Sequence, residues 1–177
     1  MLLLSYLSIF TKMENILEPN QNFDFNKINL ESPTPHQGGS FSTKLTYGDK
    51  RLPCYIQMPK CRTRAGITQS TKRQYCDLLF SYSEENLLTW FEELDNRCRQ
   101  LLFAKKDTWF QAEMSMDDIE SCYNQSFKTY RSGKYILVRC NIPMPKHIRK
   151  NYCLIYDENE NILNSEDIKE DNEIIPL

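Results

Sequence analysis

Two blocks of this sequence interleave cations with aromatic rings. The first runs Lys44, Tyr47, Arg51, Tyr55, Lys60, Arg62, Arg64, Lys72, Arg73 and Tyr75; the second runs Lys128, Tyr130, Arg131, Lys134, Tyr135 and Arg139. Cations neutralise phosphate groups, and aromatic faces stack on bases at roughly 1–3 kcal/mol per base. Each neutralised phosphate releases counterions, which makes such binding salt-dependent. The pattern therefore suits an anionic ligand of the single-strand type. Charge distribution sharpens this. Residues 40–76 hold eight Lys and Arg against one acid, Asp49, and residues 128–150 hold seven against none, in a chain of net charge −2. The acids gather elsewhere, in 107–127 and 151–177. A solvated face is the bland reading of either block alone.

Catalytic patterns are missing from the sequence. There is no G-x-S-x-G, no H-E-x-x-H and no G-x-x-x-x-G-K-[ST] phosphate loop. The carboxylate pairs Glu92-Glu93 and Asp117-Asp118 fall at helix surfaces or caps. His36 and His147 are the two histidines, and neither has a Cys or carboxylate at ligand spacing. The seven cysteines, 54, 61, 76, 98, 122, 140 and 153, form no C-x-x-C pair and match neither a zinc site nor a disulfide framework. They read as reduced thiols in an intracellular, reducing compartment. The expectation is a binding protein without enzymatic activity, cofactor or metal.

The elements that must position the two blocks follow from periodicity. Phe41, Thr43, Leu45 and Tyr47 alternate with Ser42, Lys44 and Thr46, a half-buried strand. Gly48-Asp49 turns it into a returning segment, which Pro53 confines to an edge. Residues 59–74 have no apolar period and read as a basic loop pivoting on Gly66; residues 75–82 then form a third strand. Ser83 offers an N-cap, and Leu87, Leu88, Phe91, Leu94, Cys98, Leu101 and Leu102 make an apolar stripe over residues 84–105, the clearest helix. Ser115 to Asp118 resembles a capping box that opens a short helix ending near Tyr123. Residues 135–142 form a fourth strand, with Ile136, Val138, Cys140 and Ile142 inward and Leu137, Arg139 and Asn141 outward. Pro143 and Pro145 stop it, residues 152–156 form a fifth, and residues 157–161 turn.

At 177 residues one domain is expected. Residues 1–38 read as a poorly ordered N-terminal extension, with Phe23, Phe25, Ile28 and Leu30 able to pin it to a single domain over 39–177. The apolar leader MLLLSYLSIF lacks a basic n-region and is too short to span a bilayer, so no membrane is expected and Met13 is a plausible translation start. Three strands, a long helix, then two strands is the order of a five-stranded Greek-key barrel of the OB type. The fold class is thus β-rich α+β, OB-like, with the long helix between strands 3 and 4.

In order and spacing, YIQMPKCRTRAGI, YCDLLFSY, WFEELDNRCRQLLFAKKDTWF, MSMDDIESCYNQSFK and YILVRCNIP resemble a family of single-stranded-DNA-binding proteins of nucleocytoplasmic large DNA viruses. That family is distantly related to the OB-fold single-stranded-DNA-binding protein of podophages. The resemblance covers about residues 36–177 and rests on degenerate motifs. It implies an OB fold, cooperative or dimeric coating of DNA, and a role in viral replication or transcription alongside the proteins of those processes. The corresponding location is the infected-cell cytoplasm or viral factory, or the virion. It also implies a basic-aromatic sheet face at Tyr55, Gln57, Lys60, Arg62 and Arg64. Two features depart from the pattern. The acids at 165–173 are followed by IIPL rather than ending in an acidic tail, and the barrel's closing strand after residue 174 is missing.

The candidate ligand contacts are therefore Lys44, Arg51, Tyr55, Gln57, Lys60, Arg62, Arg64, Lys72, Arg73, Lys134 and Arg139. Single-stranded DNA is the expected partner. RNA is one alternative ligand, and a virion or assembly protein using the same domain for protein contacts is the alternative function.

Overall fold

A computed structural model describes residues 2–3, 16–71, 73–142 and 153–177. In chain order the strands are β1 (Leu2–Leu3), β2 (Ile16–Leu17), β3 (Ile28–Leu30), β4 (Thr34–Pro35), β5 (Phe41–Ser42), β6 (Leu45–Tyr47), β7 (Leu52–Pro53), β8 (Tyr55–Ile56), β9 (Cys61–Gln69) and β10 (Gln74–Ser81). Helices α1 (Glu85–Ala104), α2 (Lys106–Trp109) and α3 (Met116–Cys122) follow, then β11 (Phe127–Tyr130), β12 (Tyr135–Ile142), β13 (Ile155–Tyr156), β14 (Ile162–Leu163) and β15 (Glu173–Ile175). The fold is β-rich α+β. Eight strands form one sheet in the order β11-β12-β10-β9-β15-β1-β13-β14, beside a three-stranded sheet β3-β6-β7 and two-stranded pairs β2-β8 and β4-β5. The described strands make no closed five-stranded barrel.

The centre of the large sheet is an antiparallel run of β9, β10 and β12. β10 pairs with β12 along its whole length, from Gln74 opposite Ile142 to Ser81 opposite Tyr135. Alternation sends Cys76, Leu78 and Phe80 to one face, with Ile136, Val138 and Cys140 beside them, as the sequence pattern requires. Helix α1 covers that face through Leu87, Trp90 and Phe91, with Phe127 of β11 and Ile174 of β15 in the same cluster. Phe91 packs 5.8 Å from Phe127 and 6.3 Å from Phe80, ring centre to ring centre.

Three sequence expectations need correction. Residues 59–74 are not a basic loop: most of them form β9, the nine-residue strand that pairs with β10. Its inward positions are Cys61, Thr63 and, beyond an irregularity in the strand, Ile67, so the apolar signal is interrupted and does not register as a period, while Arg62 and Arg64 point outward. Secondly, residues 16–38 belong to the fold rather than extending from it. Ile28 is fully buried, Phe23 stacks edge-on to Trp90 at 5.2 Å, and β3 pairs with β6 from Ile28 opposite Tyr47 to Leu30 opposite Leu45. Arg97 of α1 ties the same arm down by donating to the carbonyls of Asn26 and Ile28. The pinning residues were legible; the strand they open was not, because three residues carry no period. Thirdly, the strand expected over 41–47 is broken. Phe41 and Ser42 leave with Thr34 and Pro35 as a separate ribbon, and Phe41 is 67% exposed.

Other expectations hold. The Gly48 turn joins β6 to β7, with Tyr47 opposite Leu52, and Pro53 sits on the edge strand of its sheet. The capping box at α3 is complete, Ser115 and Asp118 each accepting from the other's backbone N–H. Ser83, however, does not cap α1; its hydroxyl pairs with that of Ser81 at 2.7 Å. The apolar end of the chain is a strand: β15 pairs with β9 and runs parallel to β1. The fifth expected strand survives as β13, whose Tyr156 turns through 157–161 into β14; residues 143–152, and so Pro143, Pro145 and the start of that strand, lie outside the described residues. The leader residues other than 2–3, and Met13, lie outside them as well.

One irregularity shapes the sheet. Between Ile67 opposite Cys76 and Thr63 opposite Leu78, β9 sets three residues, Arg64, Ala65 and Gly66, against Asp77 alone. The bulge needs glycine. Gly66 has φ +67, and a β-carbon there would collide with the carbonyl oxygen of Ile168. Gly66→Ala should therefore destabilise the fold by about 2–3 kcal/mol, from the left-handed backbone plus the clash. Urea denaturation of the two proteins measures this, and equal midpoints would contradict the bulge.

Candidate functional site

The face of the sheet opposite α1 carries the cations. By the register, Tyr75, Asp77, Leu79 and Ser81 of β10 share it with Asn141, Arg139, Leu137 and Tyr135 of β12, Lys128 and Tyr130 of β11, and Arg62 of β9. The bulge lets Arg64 turn onto the same face.

Asp77 is the pivot of this surface. It is 5% exposed and accepts a bidentate pair from Arg139, 2.7 Å from Nε and 2.9 Å from a terminal nitrogen. A terminal nitrogen of Arg64 approaches the same carboxylate at 3.5 Å. A buried carboxylate is costly unless paired and hydrogen-bonded, and here two guanidiniums supply the pairing. Both remain about half exposed, so their outer N–H groups face solvent. Hydrogen bonding to Asp77 raises the Arg139 pKa above its ordinary value.

Each guanidinium also lies over a ring. Arg139 sits 4.2 Å above the centre of Tyr75, and Arg64 sits 5.0 Å above Tyr130, which Arg131 approaches at 5.6 Å. β9 and β11 are separated in the sheet by β10 and β12, so the Arg64–Tyr130 contact bridges the two strands that carry Leu79 and Leu137. Those leucines oppose each other on this outer face yet are only 4% and 9% exposed. Long side chains lay their apolar stems over such pairs while the charge stays in water. Of the remaining cations, Lys60 contacts Glu173 at 2.6 Å and Arg62 reaches it at 3.9 Å.

The structure brings together Lys60, Arg62, Arg64 and Arg139, with Arg73 in the β9–β10 hairpin and Lys134 in the β11–β12 turn, 5.5 Å over Tyr135. These two turns lie at opposite ends of β10, so the cations run along its length, about 26 Å for eight residues at roughly 3.3 Å each. Four expected contacts stand elsewhere. Lys44 and Arg51 flank β6 and β7 in the three-stranded sheet, and Tyr55 is on β8 of the β2-β8 pair. Gln57 lines a cleft of about 600 Å³ rimmed by Glu18, Glu84 and Glu85, where the local charge is acidic. They separate from the basic face because residues 41–58 break into short strands of other sheets instead of forming one hairpin beside β9. Lys72 lies outside the described residues.

Asp77, Tyr75, Lys128 and Tyr130 complete the face beyond the expected contacts. Asp77 left one signal, an acid flanked by apolar residues within a strand, but its partners are 13 and 62 residues away. Asp95 behaves similarly on α1: 2% exposed, it accepts from the Tyr123 hydroxyl at 2.9 Å and the Ser126 N–H at 3.0 Å. That pair holds the loop entering β11. Burial, with the nearby Asp95 carboxylate, raises the Tyr123 phenol pKa, keeping it a donor.

All seven cysteines are free thiols. Burial pushes Cys76 up to about 12, and Cys140 and Cys54 to about 11; Cys61 is raised for the same reason. Cys76, Cys140 and Cys153 line an apolar cavity of about 320 Å³ with Ile67 and Ile174. Among the described residues no group of three or more His, Cys, Asp or Glu could hold a metal ion, and no helix is long and apolar enough to cross a membrane.

Comparisons of the chain with protein-family models, with curated proteins and with solved structures found no match.

Two outcomes follow from these environments. Lys60 beside Glu173 holds that carboxyl below its ordinary value, so the stabilisation it gives to the β15–β9 pairing is present above the unfolded carboxylate range. It is lost as pH falls through the lowered folded value. An NMR titration of the Glu173 side chain should show a midpoint below that of an unpaired glutamate, and an ordinary midpoint would rule the ion pair out. In native protein at neutral pH, Cys122, the exposed thiol, should react with iodoacetamide before Cys61 and Cys76 do, read by mass spectrometry.

Proposed function

We propose that this protein binds single-stranded nucleic acid, DNA in the first instance, without sequence preference and without catalysing a reaction on it. The observation that carries the reading is the continuous run of arginines, lysines and tyrosines along the outer face of β10 and its neighbours. Arg73 stands at one end, Arg64 and Arg139 over Tyr130 and Tyr75 in the middle, and Lys134 at the other end. Cations spaced along a strand match a phosphate backbone, and rings among them offer stacking surfaces. Flat phosphate tracking, with no helix among the described residues presented for a groove, favours sequence tolerance.

The reading includes an OB-like organisation. It is supported by the order of the central elements: two long antiparallel strands, a twenty-residue helix behind them, then a strand that returns beside the second. The resemblance to viral single-stranded-DNA-binding proteins adds a role in viral DNA replication or transcription, in the infected-cell cytoplasm or viral factory, with a homodimer and replication or transcription proteins as partners.

A second reading, a protein-contact module of a virion or assembly intermediate, is favoured by the β4-β5 ribbon. Both of its strands are exposed, and Phe41 is 67% exposed on it.

Fluorescence anisotropy with labelled oligonucleotides separates the two. Micromolar or tighter binding that weakens with salt and prefers single strands over duplex supports the first, and an RNA oligonucleotide of equal length ranks the two nucleic acids. No binding at low salt sinks it in favour of the second. Changing Lys60, Arg62 and Arg64 together to Ala should weaken binding and flatten the log–log salt slope by about 0.7 for each phosphate that is no longer neutralised. An unchanged slope moves the site off β9.

A further inference from the structure

We infer that Asp77 is a positioning residue. By holding the Arg64 and Arg139 guanidiniums on one buried carboxylate, it builds a two-arginine clamp for a single phosphate group on the outer face of the sheet. The identity of that phosphate as part of a nucleic-acid backbone rests on the function proposed above; the clamp itself rests on geometry.

Three observations point to it. Asp77 is an acid at the middle of a basic surface, where simple charge complementarity to a polyanion would place none, and it is 5% exposed. Its carboxylate serves both arginines. Arg139 takes both through Nε and a terminal nitrogen, and Arg64 shares the second oxygen. Both guanidiniums are thereby held beside one oxygen atom, with their outer edges about half exposed. A guanidinium has five N–H donors in a rigid fork, so the outer donors of each stay directed away from Asp77. Each also lies over a ring, Arg139 at 4.2 Å from the centre of Tyr75 and Arg64 at 5.0 Å from that of Tyr130.

The bulge is what admits the second arginine. In a regular ladder Asp77 would face one residue of β9; here it faces three, and the extra backbone turns Arg64 toward the carboxylate. Bulges re-aim side chains at binding sites in this way. A rigid pair of arginines loses little rotamer freedom on binding, which is how a buried acid can raise affinity for an anion.

Removing this acid should change affinity in the direction opposite to that set by net charge. Glu173 is the matched control, an exposed carboxylate paired with Lys60 and Arg62 beside the same face. If the acids act through net charge alone, Asp77→Asn and Glu173→Gln each remove one negative charge and both tighten oligonucleotide binding. If Asp77 positions the clamp, Asp77→Asn weakens binding by about tenfold, the scale of losing one charge-assisted hydrogen-bond arrangement, while Glu173→Gln tightens it. Asp77→Glu, which keeps the charge and shifts the carboxylate by one methylene, should weaken binding too. Circular dichroism melts confirm which variants are folded. The second arm uses inorganic phosphate and the arginine Nε–H signals in nitrogen-15 NMR. Phosphate should shift Arg64 and Arg139 together in the unaltered protein, and neither in Asp77→Asn. Tighter binding by Asp77→Asn overturns the inference. So does the absence of a shift at either arginine in the unaltered protein, which decides the matter even if both Asp77 variants fail to fold. Should the unaltered protein ignore DNA and RNA alike, the nucleic-acid reading fails, while joint phosphate shifts at the two arginines still establish the clamp.

Discussion

The structure depends on β10 being buried on both faces. Cys76 through Phe80 is closed to solvent without a break, although alternate residues point to opposite sides of the sheet. One side is covered by α1 and the aromatic cluster around Trp90 and Phe91. Among the described residues no second layer of helices covers the other. There the strand's own neighbours reach across: Arg139 and Arg64 seal Asp77, and the Arg64–Tyr130 bridge crosses above Leu79 and Leu137. The basic surface is therefore also the roof of a thin outer core, and its side chains are fixed by packing as well as by charge.

This double duty bears on how the surface works. A flexible lysine-rich face would attract anions but would have to order its side chains on binding. Here the two central arginines are ordered already, because each is held by a carboxylate and by a ring. Removing one partner of such an arrangement leaves a buried charge without its complement, which costs several times what the pair contributes. The face is accordingly expected to be sensitive to conservative changes at its centre and tolerant at its ends. Arg73 and Lys134 stand in turns there, where water can stand in for a changed side chain.

The N-terminal third supports the site from behind. Phe23 and Phe25 pack with Trp90, Tyr47 packs on Phe23, and Arg97 fastens the loop at Asn26 and Ile28. These contacts fix the position of α1, and through Phe91 and Phe127 that of β11, which brings Tyr130 to the opposite face. Asp95, bonded to Tyr123 and Ser126, holds the same strand at its start. The clamp thus rests on aromatic packing a full layer away.

The sequence by itself determined the elements with a strong period. Helix α1, the alternation of β12, the Gly48 turn and the Ser115 cap could all be read because each repeats over several turns of its own geometry or uses a residue type with one clear purpose. The two basic blocks were legible as composition; that β9, β10, β11 and β12 gather part of each on one face was not. What the sequence could not carry was pairing. β9 alternates arginine with Cys and Thr, so its buried side looks polar and the strand reads as a loop. Strands of two or three residues carry no period at all. Nor could the sequence say that Lys44, Arg51, Tyr55 and Gln57 would leave for other sheets. The role of Asp77 is hidden for the same reason, since an acid between Cys76 and Leu78 stands out in a strand but gains meaning only when Arg139 is set opposite and a bulge delivers Arg64. The tertiary structure decided that, because the register of β10 against its two neighbours is fixed by a core on its far face and not by any residue of the clamp.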